Sequence, residues 1–492
     1  MAVQWKGDGP ALLVQLDRES PRQLGHQLQE QLRSAIRAGA LRAGERLPSS
    51  RSLAEQLGTS RGLVVDSYAQ LYAEGYLVTE VGSGTRVAER AGATPPAETQ
   101  LPTVDSVRTE SEVDFEYGVP DLASVPVRDW LWALGEAARL APAALMGDEP
   151  DGGDRRLQEV LAAYHRRVRA GAAVAEHTVV TTGFRHALTL VFATLARNGV
   201  KRVGLESPGP REHDRIAERF GLQPVPVPVD EDGIDVDRLA SSGARAVVLT
   251  PAHQCPTGVA LSPERRHKLL AWAEAVDGFV IEDDYDAEFR YDRQPVGSLQ
   301  GLSPERVIAL GSVSKTLAPG IRIGWMFAPP GLVDALLEAK ALTSRGAPAL
   351  DQLALARLME SGRYDGHLRR MRTIYQHRRS TLITTVDEFL PTLRLDGLAA
   401  GCHAVLRLPD DVREADVVTG ARQRSVEVRG LGEYCFGGRE FAARTAPGLV
   451  LGFGNVNESR IRRGVRILAE VIGAGQEAER SQAQRRGPTR KR

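Results

Sequence analysis

The sequence predicts an α/β protein in two domains: a small helical module closed by a β-hairpin, then a much larger domain on a mainly parallel sheet. Length is the first observation, because 492 residues exceed what a single hydrophobic core usually serves. Local patterning is the second: residues 21–88 carry three short helical periodicities, then two strand-like runs around a glycine turn. The third is the order of elements from Asp114 to about Gly473. There helical patterns alternate with short β-rich runs, and such alternation places parallel strands between covering helices.

In the first module, Leu24, Leu28, Leu32, Ala35 and Ile36 share one helical face, with Pro21 at a first-turn position and Gly39 as the stop. Ser49 or Ser50 can cap a short second helix carrying Leu53 and Leu57, which Gly58 breaks. Thr59 or Ser60 caps a third helix with Val64, Tyr68, Leu71 and Tyr72 inward, and Gly75 ends it. Two strands follow, Tyr76 to Val81 and Thr85 to Ala88, joined by Gly82-Ser83-Gly84, whose glycines permit a hairpin turn. Such an arrangement is a winged helix-turn-helix, in which the third helix enters the major groove of double-stranded DNA with its N-terminal residues at the base edges. Those residues here are Thr59, Ser60 and Arg61, and Arg61 can take a guanine edge bidentately. Arg51 and Ser49 are placed for phosphates, while Ser83, Thr85 and the amides of Gly82 and Gly84 are placed for phosphate or minor groove.

Residues 90–112 are rich in Pro, Thr, Ser and Glu without apolar periodicity, as a solvated tether would be. The boundaries expected are therefore 15–89 for the DNA-binding module, 90–112 for the linker, 113–474 for the large domain and 475–492 for a disordered basic tail. Net charge is zero, so any affinity for nucleic acid has to come from the placement of individual arginines. Cys255, Cys402 and Cys435 have neither paired nor metal-ligand spacing, which argues against a disulfide framework or a metal site and suits a reducing cytoplasm. No stretch approaches the roughly 20 apolar residues of a membrane span, and the first residues lack the pattern of a secretory signal.

Lys315 lies in Gly311 to Gly324, GSVSKTLAPGIRIG, an amine flanked by hydroxyls and followed by an arginine. That combination suits pyridoxal phosphate. The cofactor needs an amine for its aldehyde, a carboxylate at its ring nitrogen, a donor to its phenolic oxygen and a cup for its phosphate. Lys315 is the candidate for the Schiff base. A carboxylate follows the apolar run Phe279-Val280-Ile281, at the carboxyl end of a strand where open α/β sheets bind ligands; spacing leaves Asp283 and Asp284 both open. Tyr285 is the candidate donor. For the cup, Thr182-Gly183-Phe184-Arg185 joins a strand to a helix whose dipole suits a phosphate, and Ser312, Ser314 and Arg322 add hydroxyls and a guanidinium fork.

The segment GERLPSSRSLAEQLGTSRGLVVDSYAQLYAEGYLVTEVGSGTRVA resembles the GntR-type winged helix, from Leu24 to Ala88, with Gly62 standing where a polar side chain is usual. Together with GVPDL, PAHQCPTG, RRHKLLAWAE, IEDDYDAEFRY and HLRRMRTIYQHRR, it resembles the MocR/GabR family over roughly residues 21–473. The resemblance implies a GntR-type module fused to an aminotransferase-like domain of fold type I. Such a domain has a mainly parallel seven-stranded sheet and a small C-terminal α/β subdomain. It also implies Asp283 as the ring-nitrogen partner and a homodimer with sites at the interface. Its function would be transcription regulation through an effector that is an amine, an amino acid or pyridoxal phosphate itself. The alternative is a working aminotransferase with an appended DNA-binding domain.

Four departures from the family pattern bear on that choice. Ser207-Pro208-Gly209-Pro210 puts proline where an aromatic would stack on the cofactor ring, leaving Arg211 or His213 as substitutes. Met146 stands where a tyrosine would reach the neighbouring subunit's phosphate. Cys255 replaces the asparagine of the NPTG loop, with His253 or Gln254 as possible stand-ins, and Val450 stands where an arginine would grip an α-carboxylate. These replacements lead to an expectation of little or no transamination.

Overall fold

The structure, a computed structural model, describes residues 14–20, 23–80, 84–89, 112–147, 152–286, 288–291, 296–344, 346–397, 400–437 and 445–485. The chain divides into two compact units, Met1–Thr109 and Glu110–Arg492.

In the first unit, α1 (Leu24–Arg37) buries Leu28, Leu32 and Ile36 against α2 (Ser50–Leu57) and α3 (Arg61–Ala73). Ser49 and Ser60 are the N-caps, their hydroxyls accepting from the Ser52 and Leu63 amides, each at 3.2 Å. Capping this way satisfies donors that the first helical turn leaves open. Pro21 lies outside the described residues. Tyr72, expected inward, is 57 % exposed. Tyr68 and Leu71 already fill the buried stripe, and one further residue of rotation carries Tyr72 past its edge. β1 (Leu77–Glu80) pairs antiparallel with β2 (Gly84–Val87), Leu77 opposite Val87 and Glu80 opposite Gly84. The segment before α2 lies along the other edge of β2, with Gly44 N–H donating to Val87 O at 2.9 Å and Leu47 N–H to Thr85 O at 2.8 Å. The turn residues 81–83, including Gly82 and Ser83, lie outside the described residues.

The second unit opens with β3 (Val113–Asp114) and is built on a large sheet. Its strands are β4 (Thr178–Thr181), β5 (Arg202–Ser207), β6 (Gln223–Asp230), β7 (Gly233–Ile234), β8 (Ala246–Leu249), β9 (Phe279–Asp283), β10 (Val307–Ser312) and β11 (Gly324–Phe327). The order is β4-β11-β10-β9-β8-β5-β6-β7. Neighbours from β6 to β10 run parallel, whereas β11 is antiparallel to both β10 and β4. Eight strands stand where seven were expected. The extra one, β7, folds back on β6 through a turn in which Asp232 N–H donates to Asp230 Oδ1 at 2.9 Å.

β6 reads QPVPVPVD, and three prolines would seem to forbid a strand. Their spacing of two resolves this. Pro228 O accepts from Asp235 N–H on the outer edge, so the missing donors at Pro224, Pro226 and Pro228 all fall on that edge and the valine amides face β5.

A smaller sheet, β12 (Leu395–Asp396), β13 (His403–Arg407), β15 (Arg429–Gly430) and β16 (Gly448–Gly452), forms the C-terminal α/β part, while β14 (Val426–Glu427) pairs with β3. The final helix, Glu458–Arg485, runs through the first part of the segment expected to be a disordered tail. Residues 475–485 contain one glycine and otherwise mostly good helix formers, so nothing local stops the helix. No helix among the described residues is long and apolar enough to cross a membrane.

Leu32 has no exposed surface in the core of the first unit. Leu32→Ala should destabilise that unit by about 2–5 kcal/mol and, in calorimetry of the full chain, bring forward only one of two transitions. A single transition moving as a whole would show that the units melt together.

Candidate functional site

Strand register assembles one wall of the site. Ser312 of β10 is opposite Gly324 of β11, and Gly324 is opposite Thr181 of β4. Counting two residues outward from each strand end therefore brings Ser314, Arg322 and Gly183 side by side. Gly324 has no alternative here, because a Cβ would lie 2.7 Å from Gly183 Cα. Gly183 itself sits at φ +111°, with the Arg322 guanidinium 3.5 Å from where its Cβ would stand. Helix α6 (Phe184–Arg197) starts at this point, so its N-terminal amides and dipole face the same space. Ser312 Oγ donates to Ser314 Oγ at 2.7 Å, and Arg322 makes no ion pair among the described residues. Arg185 is engaged by Glu212, the first residue of α7 (Glu212–Arg219).

The carboxylates of β9 are sorted by their partners. Glu282 accepts from Ser298 Oγ at 2.5 Å, and Asp284 pairs with Arg169 Nε at 2.7 Å, the arginine side chain being 2 % exposed. Asp283 has no hydrogen bond or ion pair among the described residues, although it is only 8 % exposed. Burial pushes its carboxyl well above the ordinary range; Asp284 and Glu212 push the same way, against Lys315. The Tyr285 hydroxyl, held protonated by burial, donates to His253 O at 2.8 Å. Lys315 Nζ donates to Gly118 O and lies 6.0 Å from the Tyr117 ring centre.

Lys315, Asp283, Tyr285, Phe184, Arg185, Ser312, Ser314 and Arg322 thus line one cavity of about 520 Å³, with Gly183 at its edge. These groups fit pyridoxal phosphate: an uncompensated buried carboxyl for a protonated ring nitrogen, an unpaired guanidinium and hydroxyls for a phosphate, and an amine for the aldehyde.

Of the two substitutes for the stacking aromatic, only His213 reaches the cavity, its ring 5.4 Å from that of Phe184. Arg211 turns away to Asp214 at 3.3 Å. Burial, reinforced by Arg185, lowers the His213 pKa to about 4. Gln254 is consumed locally: its amide donates to Pro208 O at 2.9 Å and its carbonyl accepts from Thr257 N–H at 3.0 Å. His253 Nδ1 lies 2.9 Å from Asp286 Oδ2. Val450 packs with Val405, Leu431 and Tyr434 against Tyr117, so an apolar patch stands where a carboxylate fork was looked for. The side chain of Met146 lies outside the described residues.

Three residues at this site escaped the sequence reading. Tyr117 had a signal, since it directly precedes Gly118-Val119-Pro120, and so had Glu212, which stands between Arg211 and His213; Arg169 had none, being brought in by tertiary folding alone.

In the first unit, Arg46, Arg51 and Arg61 are exposed and make no ion pair among the described residues. The Arg46 guanidinium comes within 3.2 Å of where a Cβ on Gly84 would stand, at the turn end of the hairpin. Ser49 and Ser60 spend their lone pairs on capping, which leaves each hydroxyl proton able to donate, and Thr85 is half-buried. Thr59 is half-buried, its Oγ1 without a hydrogen-bond partner among the described residues.

Known proteins resemble both parts of the chain. Residues 24–87 match the family of bacterial regulatory proteins of the gntR type, and residues 118–398 match aminotransferase class I and II. The pyridoxine biosynthesis transcriptional regulator PdxR of Corynebacterium glutamicum is 36 % identical over 94 % of this chain and 98 % of its own length. The probable rhizopine catabolism regulatory protein MocR of Rhizobium meliloti is 31 % identical over 94 % and 96 %. The chain belongs to the MocR family of transcription regulators. Its aminotransferase-like part has the fold of solved enzymes: a kynurenine aminotransferase of Pyrococcus horikoshii superposes with a TM-score of 0.68 at 24 % identity, covering 77 % of this chain and 95 % of that one. Membership of MocR with an aminotransferase class I and II domain implies pyridoxal phosphate as cofactor, and the gntR module implies DNA.

His213 supplies a pH test. Its pKa is about 4 in the folded protein against an ordinary 6.5, so between those values only the unfolded chain takes up the proton and stability falls as pH drops. On going from pH 7 to pH 5.5, His213→Gln should lose about 1 kcal/mol less stability than wild type in urea unfolding. Equal losses would mean that the imidazole is solvated.

Proposed function

We propose that this MocR regulator binds pyridoxal phosphate in the cavity at Lys315 and that occupancy by the cofactor is itself the signal read out on operator DNA. The observation that carries this is one cavity lined by Asp283 and Arg322, whose side chains have no ion pair among the described residues, and by the Lys315 amine. When bound, the cofactor supplies an aldehyde that a primary amine can capture. Asp283 would hold a proton on the ring nitrogen, Tyr285 would donate to the phenolic oxygen, and Gly183, Phe184, Arg185, Ser312, Ser314 and Arg322 would hold the phosphate. His213 and Phe184 would lie against the ring.

Two observations favour the cofactor over an amino acid as effector. Val450, where the family pattern would put a carboxylate-gripping arginine, is buried among Val405, Leu431 and Tyr434 and itself offers no cation. A 36 % identical relative is named for pyridoxine biosynthesis. The regulator would act as a homodimer in the cytoplasm. Its coupling needs unequal affinity of the cofactor for two arrangements of different DNA affinity. The complete set of cofactor partners also suits a second reading, an aminotransferase with an appended DNA-binding domain; the missing carboxylate fork speaks for weak or absent turnover, and a panel of amino acids with keto acids decides between the two.

Wild-type protein incubated with pyridoxal phosphate should show the visible band of lysine-linked cofactor, and Lys315→Ala should abolish both the band and the cofactor's effect on DNA binding. An unchanged band would overturn the site. For the DNA half, Arg61→Ala should weaken operator binding by about 1–3 kcal/mol and relax base preference at one position; unaltered gel shifts would remove Arg61 from the groove.

A further inference from the structure

Helix α3 carries a row of side chains that neither its core nor its caps require. Val64, Ser67, Tyr68 and Leu71 form the buried side. Arg61 and Val65 are four residues apart and both exposed, Val65 at 43 %. At about 100° per residue, Val65 lies only about 40° round the helix from Arg61, whereas Asp66 lies about 140° away. The side that presents Arg61 therefore presents Val65 and turns the carboxylate of Asp66 aside, and Gly62 between them offers no side chain.

Local structure gives no reason for a valine at this position. A β-branched residue lowers helix propensity, and one that is nearly half exposed gains little from burial. Among the described residues it is the one large exposed apolar side chain in the first two turns of α3. Arg61, one turn before it on the same side, is exposed and free of ion pairs among the described residues. Tyr72, seven residues on and so about 20° from Val65, continues this face at 57 % exposure, but only Val65 stands in the N-terminal turns that a recognition helix brings to the bases. An apolar group beside an arginine matches a DNA groove, where one base edge is apolar. Of the four bases, thymine alone displays a methyl group in the major groove.

We propose that Val65 is a specificity-determining residue that packs on the 5-methyl of a thymine in the operator. The four-residue step from Arg61 is about 6 Å along the helix and a base pair rises about 3.4 Å, so this thymine lies within about two base pairs of the guanine taken by Arg61. The inference rests on the DNA-binding reading and adds to it the identity of a second base and the atom through which it is recognised.

The test uses the full chain and a randomised duplex library. Wild type should enrich a motif containing a guanine with a thymine within about two base pairs. Each thymine of that motif is then replaced in turn by deoxyuridine, which removes only the methyl group. One replacement should weaken wild-type binding about fourfold, the equivalent of about 0.8 kcal/mol for one buried methyl-sized group, and should leave Val65→Ala binding unchanged. Far-ultraviolet circular dichroism and the cofactor band report that Val65→Ala is folded. If no deoxyuridine matters, or if the same one weakens Val65→Ala as much as wild type, the valine does not read a methyl and the DNA-binding reading stands without it. If wild type enriches no motif, the DNA reading and this inference fail together.

Discussion

Gly324 against Gly183 is the close approach on which the cofactor cavity depends. The antiparallel strand β11 lies between β10 and β4, and its end is in register with both. Because neither glycine has a side chain, the turn after β4 and the end of β11 come within backbone distance, and Arg322 can lie across Gly183. Any Cβ at residue 324 would push the helix α6 N-terminus away from the hydroxyls of Ser312 and Ser314. The phosphate cup we propose draws its pieces from three strand ends and would be only as good as that spacing.

The second constraint is electrostatic. Three consecutive acids, Glu282, Asp283 and Asp284, leave β9 together, and a buried carboxylate without a partner is costly. Ser298 takes Glu282 and Arg169 takes Asp284, so two of the three are compensated by groups far away in sequence. Asp283 is left facing the cavity with its carboxyl pushed toward the neutral form. A cationic ring nitrogen would supply the charge that the protein withholds, which ties the stability of this corner to occupancy. Arg169 acts here through Asp284 and not on the ligand: it decides which carboxylate stays available.

The same economy is visible in the regulator's other unit. Ser49 and Ser60 cap the two helices of the helix-turn-helix, and Gly44–Leu47 pins the hairpin. The guanidinium groups of Arg46, Arg51 and Arg61 make no ion pair among the described residues, so their charges are available to a polyanion without loss of fold.

Much was legible from local chemistry. Periodicity, serine caps and glycine stops read out α2 and α3 closely, because these elements answer to sequence-local rules, while α1 begins at Leu24, three residues after Pro21. Lys315, Ser312, Ser314 and Arg322 announced themselves by close spacing within one segment. What needed the tertiary structure were choices between near neighbours and pairings across long separations: why Asp284 is paired and Asp283 is not, His213 over Arg211, Ser60 over Thr59 as the cap, and the arrival of Tyr117 and Arg169 at the site. The strand β6 was hidden for another reason, since its prolines are permitted only because one edge carries few hydrogen bonds. The sequence by itself determined the two-part architecture, the helix-turn-helix and the residue types that a phosphorylated aldehyde requires. The tertiary structure alone decided which of those residues remain unpaired, because the availability of a charge depends on what folding brings beside it.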